Sequence, residues 1–207
     1  MNVSDLDINF FTYENHEDIP SSGGVYAFFV PLAIHDTDEM GETFAERFVN
    51  SIEAYRDLLL PDSGESAWYA AMDSWTSASG EIRITGKEVG RSIQDWAAGM
   101  GYQELDKINE ILFNLSLFMP PIYVGMTTKR TFTARYAEHV ENIDALQGKL
   151  KDFRSRFNAK ADRLNLTLSV SDLIFATLPM DLGLGKDSIA KFETIAHILG
   201  RPTLSTK

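Results

Sequence analysis

The chain of 207 residues contains no cysteine. That absence excludes disulfides, thiolate metal ligands and cysteine nucleophiles together, and it suits a reducing compartment. Long apolar runs are also missing: nothing approaches the roughly 20 consecutive apolar residues of a membrane span. The opening MNVSDLDINFFTYENHEDIP lacks the basic start and continuous apolar run of a signal peptide, so a cytoplasmic protein with no membrane partner is expected. No repeat of useful period and no low-complexity tract is present, which sets solenoids and tails aside. Positive charge is scarce in one region only. Residues 1–118 carry 6 Lys and Arg against 21 Asp and Glu, whereas residues 119–207 carry 13 against 9. The net charge of -11 therefore originates in the first part, and the electrostatic objection to a nucleic-acid partner applies mainly there.

What is present is the composition of a soluble globular protein, with 44% hydrophobic and 24% charged residues. Val25 to Pro31, VYAFFVP, follows the breaker Pro20-Ser-Ser-Gly-Gly and reads as a buried strand. Phe44, Phe48, Ile52, Tyr55 and Leu59 recur at helical spacing and predict a helix from about Gly41 to Leu60, ended by Pro61-Asp-Ser-Gly64. Over residues 67–100, Trp68, Trp75, Trp96 and scattered glycines leave the choice between helix, strand and loop open. A helix is expected over Glu104–Phe118, stopped by Pro120-Pro121. Ile122–Gly125 is a short strand, Met126–Phe132 a loop, and Thr131 to about Leu146 a helix. A basic helix follows over Lys149–Arg163, then a strand at Leu173–Leu178, a turn at Leu182-Gly-Leu-Gly185, and a last helix capped by Asp187 or Ser188 and ending near Gly200.

Three features occur in order: Gly24-Val25-Tyr26 on a strand, Tyr123-Val124-Gly125 on a strand, and Arg135 and His139 four residues apart on a helix. A four-residue step puts both side chains on one helix face. Each tripeptide alone is an ordinary strand fragment, and a strand tyrosine is by default a core residue. The ordered set resembles the GIY-YIG nuclease family, over about residues 20–31 and 120–207. The resemblance implies an α/β fold with a small three-stranded antiparallel sheet flanked by helices. It also implies hydrolysis of DNA phosphodiester bonds, dependent on one Mg2+ or Mn2+. By that resemblance Tyr26 or Tyr123 positions or deprotonates the attacking water, and Arg135 holds the phosphate in its planar fork. His139 bonds Tyr26 or the phosphate and relays a proton, while Glu193 binds the metal. One position departs from the family pattern: Ser205 stands where an asparagine is usual, which removes an amide brace and bears on the level of activity. Glu193 and His197, also four apart, suggest a transition-metal pair as a minor alternative.

Lys149, Lys151, Arg154, Arg156, Lys160 and Arg163 make the predicted helix basic, readable either as a solvated face or as a DNA-backbone contact, and Lys129 and Arg130 add positive charge in the loop after the second signature strand. Residues 31–119 lie where the family needs only a short link. They hold 6 basic and 16 acidic residues, so they form an added, mostly helical acidic lobe on a core of residues 1–30 and 120–207. The lobe has three candidate uses: reading bases through its tryptophans, shielding the site, or docking a protein partner, the last being favoured. The expected function is a divalent-metal-dependent DNA endonuclease, with room for a dimer if both strands are cut. The alternative is a catalytically weak relative that regulates by binding nucleic acid or protein.

Overall fold

The computed structural model describes residues 8–34, 43–59, 95–101, 104–127, 130–140, 153–179 and 204. The chain divides into two compact units, Met1–Pro31 with Ser116–Lys207, and Leu32–Leu115. The first unit carries 13 basic and 14 acidic side chains and the second 6 and 16, so the acidity belongs to the second.

The first unit is built on four antiparallel strands: β1 (Asn9–Phe11), β2 (Gly24–Phe29), β3 (Tyr123–Thr127) and β4 (Ile174–Pro179), in spatial order β1-β4-β2-β3. Three strands were expected and four are found. The extra one, Asn-Phe-Phe, is too short to display alternation and is defined by its pairing along the edge of β4. Strand β3 also runs two residues beyond the expected Gly125, because Met126 and Thr127 stay paired with Val25 and Gly24. Pro179 closes β4 opposite Gly24, at a strand end where a residue without an N–H is tolerated.

Residues directly opposite one another on antiparallel strands share a face. Two rows therefore cross one face of the sheet: Phe11, Phe175, Phe28 and Tyr123 in the first, and Asn9, Thr177, Tyr26 and Gly125 in the second. β2 alternates buried and half-buried positions, with Tyr26 and Phe28 on the buried side. Two helices supply further apolar groups, α3 (Phe132–Val140) and α4 (Phe153–Arg163). Phe28, Phe132, Phe157 and Phe175 are fully enclosed, each contributing about 1.5–3 kcal/mol. Residues 141–152 and the expected last helix lie outside the described residues.

In the second unit, helix α1 (Phe44–Leu59) begins three residues later than its apolar spacing suggests. A capping box fixes the start: the Thr43 N–H and hydroxyl donate to the Glu46 carboxylate, and the Glu46 N–H donates to Thr43 Oγ1. Those bonds hold the Glu46 carboxyl below its ordinary range. Helix α2 (Leu105–Ser116) buries Leu105, Ile108 and Leu112 at helical spacing. Most of residues 60–94, where the sequence was ambiguous, is outside the described set.

Two side chains from these helices satisfy the backbone of the segment Leu32–Ile34. The Tyr55 hydroxyl donates to the Ala33 carbonyl at 2.9 Å and accepts from its N–H at 3.3 Å. The Asn109 amide accepts from the Ile34 N–H at 2.8 Å and donates to its carbonyl at 3.0 Å. Burial pushes the Tyr55 phenol up, with the Ala33 N–H partly offsetting it. A phenol raised in the folded state contributes fully below its unfolded pKa of about 10, and that contribution is lost as pH rises through the folded value. The resistance of the second unit to urea is therefore expected to decline above about pH 10. Tyr55→Phe is expected to flatten that alkaline decline while costing about 1 kcal/mol at neutral pH. An alkaline decline of equal slope in the variant would rule Tyr55 out as its source. Among the described residues no helix is long and apolar enough to cross a membrane.

Candidate active site

The two signature tripeptides lie on adjacent strands, with Tyr26 directly opposite Gly125 and Phe28 opposite Tyr123. This register explains the glycine. A Cβ at Gly125 would stand 2.5 Å from the Tyr26 hydroxyl oxygen and closer still to Cζ, so the phenol ring lies across the space that a side chain would fill. Gly24 has φ 152°, a backbone region essentially restricted to glycine. Gly23 brings the chain so near the end of β3 that a Cβ would meet the Thr127 carbonyl oxygen at 2.6 Å.

Helix α3 is tied to the segment that leads into β2. The Phe132 N–H donates to the Ser22 carbonyl at 2.8 Å, and the Thr133 hydroxyl donates to the Ile19 carbonyl at 3.1 Å. Thr131 caps the helix, its hydroxyl accepting the Ala134 N–H at 3.1 Å. With its first turn fixed there, the helix carries His139 to Tyr26, the phenol oxygen and His139 Nε2 being 3.2 Å apart. The imidazole is walled by rings: Tyr123 at 5.2 Å, Phe28 at 5.5 Å and Phe153 at 5.5 Å between centroids. Tyr26 is 2% exposed. Tyr123 is half-buried, and its hydroxyl makes no hydrogen bond among the described residues.

Arg135 sits one turn before His139, near the start of a helix, where the helix dipole disfavours a cation. Glu138 offsets this. Its Oε2 takes Nη1 of Arg135 at 2.9 Å, and its Oε1 pairs with Nη1 of Arg130. Nε of Arg135 is buried without a hydrogen-bond partner among the described residues. Arg130 is itself held at the backbone, its carbonyl accepting the buried Thr127 hydroxyl at 2.7 Å.

The structure thus brings Tyr26, Tyr123 and His139 together and puts Arg135 on the same helix as His139, one turn away. Glu193, Ser205, Lys129, Lys149 and Lys151 lie outside the described residues. Arg154 is half-buried and donates to the Val140 carbonyl at 2.9 Å, capping the end of α3. Arg156 is also half-buried, and Lys160 is 3% exposed, so three members of the basic run are engaged in packing as well as carrying charge. Sequence reading missed Glu138. Its signal was a carboxylate three residues after Arg135 on a helix, a spacing that pairs charges.

No group of three or more His, Asp or Glu side chains that could hold a metal ion occurs among the described residues. Glu138 has both oxygens engaged by arginines. The phenols, imidazole and guanidinium accordingly fit a hard cation only with a carboxylate from elsewhere, the place that Glu193 takes in the family resemblance. Searches against protein-family models, curated proteins and solved structures gave no match.

Proposed function

We propose that this chain is a divalent-metal-dependent DNA endonuclease with a GIY-YIG-type site. The observation that carries this reading is the convergence, from strands far apart in the sequence, of two phenols and one imidazole, with Tyr26 and His139 Nε2 3.2 Å apart. A buried tyrosine hydroxyl ordinarily finds a hydrogen-bond partner, and here that partner is a histidine on the same helix as Arg135. In this reading Tyr26 is the water-activating phenol, because its hydroxyl is the one joined to a proton acceptor. His139 is then the Nδ1–H tautomer, with Nε2 accepting from Tyr26. As a water oxygen bonds to phosphorus, its proton passes to the Tyr26 oxygen while the Tyr26 proton moves to His139 Nε2. The P–O bond to the leaving oxygen breaks, and that oxygen is protonated from solvent.

Tyr123, half-buried and with no hydrogen bond to its hydroxyl among the described residues, orients the water or a nonbridging oxygen. Arg135 stabilises charge on the nonbridging oxygens through its planar fork. Glu193 is assigned the Mg2+ or Mn2+, which supplies Lewis-acid charge at the phosphoryl group. Lys129 and Arg130 contact the DNA backbone near the site. Arg163, exposed on α4, and Arg156 extend that contact, whereas Arg154 is occupied in capping.

Plasmid nicking by the full chain tests the reading. Nicking in Mg2+ or Mn2+ that stops on chelation and is lost in Arg135→Ala and Glu193→Ala is expected. Nicking unaffected by Glu193→Ala would remove the metal assignment. A chain that binds duplex DNA and never nicks it would instead be the regulatory relative, for which Ser205 in place of asparagine is the sequence sign.

A further inference from the structure

Three charged groups, Arg130, Glu138 and Arg135, form a cluster that the nuclease reading uses only in part. Glu138 engages the two arginines through separate oxygens, each by a single Nη1. On Arg135 this choice of nitrogen is informative. A guanidinium meets a phosphate most strongly through a pair of parallel N–H groups, and the Nε–Nη2 edge is one such pair. Glu138 takes Nη1 and leaves that edge without a hydrogen bond among the described residues, with Nε out of contact with solvent. A buried N–H donor that lacks an acceptor is costly, and a phosphate oxygen would complete it.

The arrangement is not explained by stability. The side chains are 53% and 26% exposed in one pair and 33% and 26% in the other, a setting in which ion pairs add little to folding. Two guanidiniums sharing one carboxylate keep a net positive charge, so the cluster attracts anions. Thr127 fixes the backbone of Arg130 and the cap at Thr131 fixes the start of α3, so both arginines are presented from anchored backbone.

We propose that Glu138 is a positioning residue for a two-arginine phosphate clamp. It holds Arg135 by Nη1 so that the Nε–Nη2 edge grips one backbone phosphate, and it holds Arg130 beside it for an adjacent phosphate of the same strand. The ligand class is a nucleic-acid backbone bearing at least two consecutive phosphodiesters. This inference rests on the nuclease reading for the identity of the phosphate and extends it to a residue and a second cation.

The test uses the full chain as wild type, Glu138→Ala, Glu138→Gln and Arg130→Ala. Duplex binding is followed by fluorescence anisotropy in chelator, and single-turnover nicking is followed in Mn2+. Glu138→Ala is expected to slow nicking at least about 10-fold while duplex affinity holds or rises, since a negative charge is removed. Glu138→Gln, which keeps one acceptor oxygen, should recover part of the rate. Arg130→Ala should weaken affinity and its salt dependence by about one phosphate contact. A merely structural glutamate would lose affinity, rate and thermal stability together, and that result, or unchanged nicking in Glu138→Ala, would overturn the proposal.

A second measurement does not depend on turnover. The Arg135 Nε–H resonance in 15N-labelled protein should exchange slowly in the wild type, shift on titration with inorganic phosphate, and broaden in Glu138→Ala. If the wild type neither nicks nor binds duplex DNA, the nuclease reading fails. The phosphate titration then judges the clamp alone: a shift abolished by Glu138→Ala supports it, and no shift sinks it.

Discussion

Replacing Tyr26 with phenylalanine is expected to lower nicking about 10²–10⁴-fold, the range for losing a positioned general acid–base group. The substitution removes one oxygen and leaves the ring in its setting, 5.6 Å from Phe175 and 6.1 Å from Tyr123 between centroids. What is lost structurally includes the contact with His139 Nε2, worth about 1 kcal/mol. Thermal stability and duplex affinity should therefore stay close to wild type while the rate collapses. Tyr123→Phe is expected to be milder, because that hydroxyl has no protein partner among the described residues. Full activity in Tyr26→Phe, or a far larger loss in Tyr123→Phe, would reverse the assignment of the proton-relaying phenol.

Gly125→Ala is expected to cost about 1–3 kcal/mol or more, the usual range for overpacking a filled interior. The added methyl has nowhere to go. It would contact Cζ, Cε1 and the hydroxyl of Tyr26, and that ring is hemmed in by Phe28 and Phe175 on its own face of the sheet. Displacing the ring separates the phenol from His139, so nicking should fall alongside the denaturant midpoint. A double-mutant cycle makes the cause explicit: in a Tyr26→Ala background the same Gly125→Ala change should be almost neutral, since the clashing atoms are gone. Additive losses in the cycle would mean that the glycine serves its own backbone and not the neighbouring phenol.

The central elements were legible because their signals are local. VYAFF is aromatic and β-branched after a glycine breaker, and LIFATL reads likewise, so β4 was placed to within one residue at each end and β2 to within one at its start and two at its end. The one-face spacing of Arg135 and His139 placed both on α3. What escaped depends on partners distant in sequence. Three residues, Asn9–Phe11, have no internal pattern and become a strand only against Thr177, Ala176 and Phe175. Met126 and Thr127 carry no strand signal beyond their opposition to Val25 and Gly24. The start of α1 was a different kind of miss, since Thr43 and Glu46 do spell a capping box and the apolar spacing drew attention past it.

For the site, the phenols and the imidazole could be nominated from order and spacing, but their roles could not be divided. In the proposed reading their division rests on register, which brings the Tyr26 hydroxyl to His139 and leaves Tyr123 half-buried beside it. Arg154 illustrates the opposite failure. Its charge suggested a solvated face or a DNA-backbone contact, whereas its reach to the Val140 carbonyl is a tertiary fact with no trace in composition.

The end of β2 lies beside the start of β3, the Ile122 N–H donating to the Phe28 carbonyl at 2.9 Å. The chain between them thus leaves and rejoins the sheet at a single rung of the ladder. Whatever grows there imposes one closure entropy, which rises only logarithmically with length, and exerts no leverage on which residue faces which across the sheet. The register of β2 against β3 is in this sense insulated, and evolution can lengthen, recharge or exchange the acidic segment while the phenols keep their alignment.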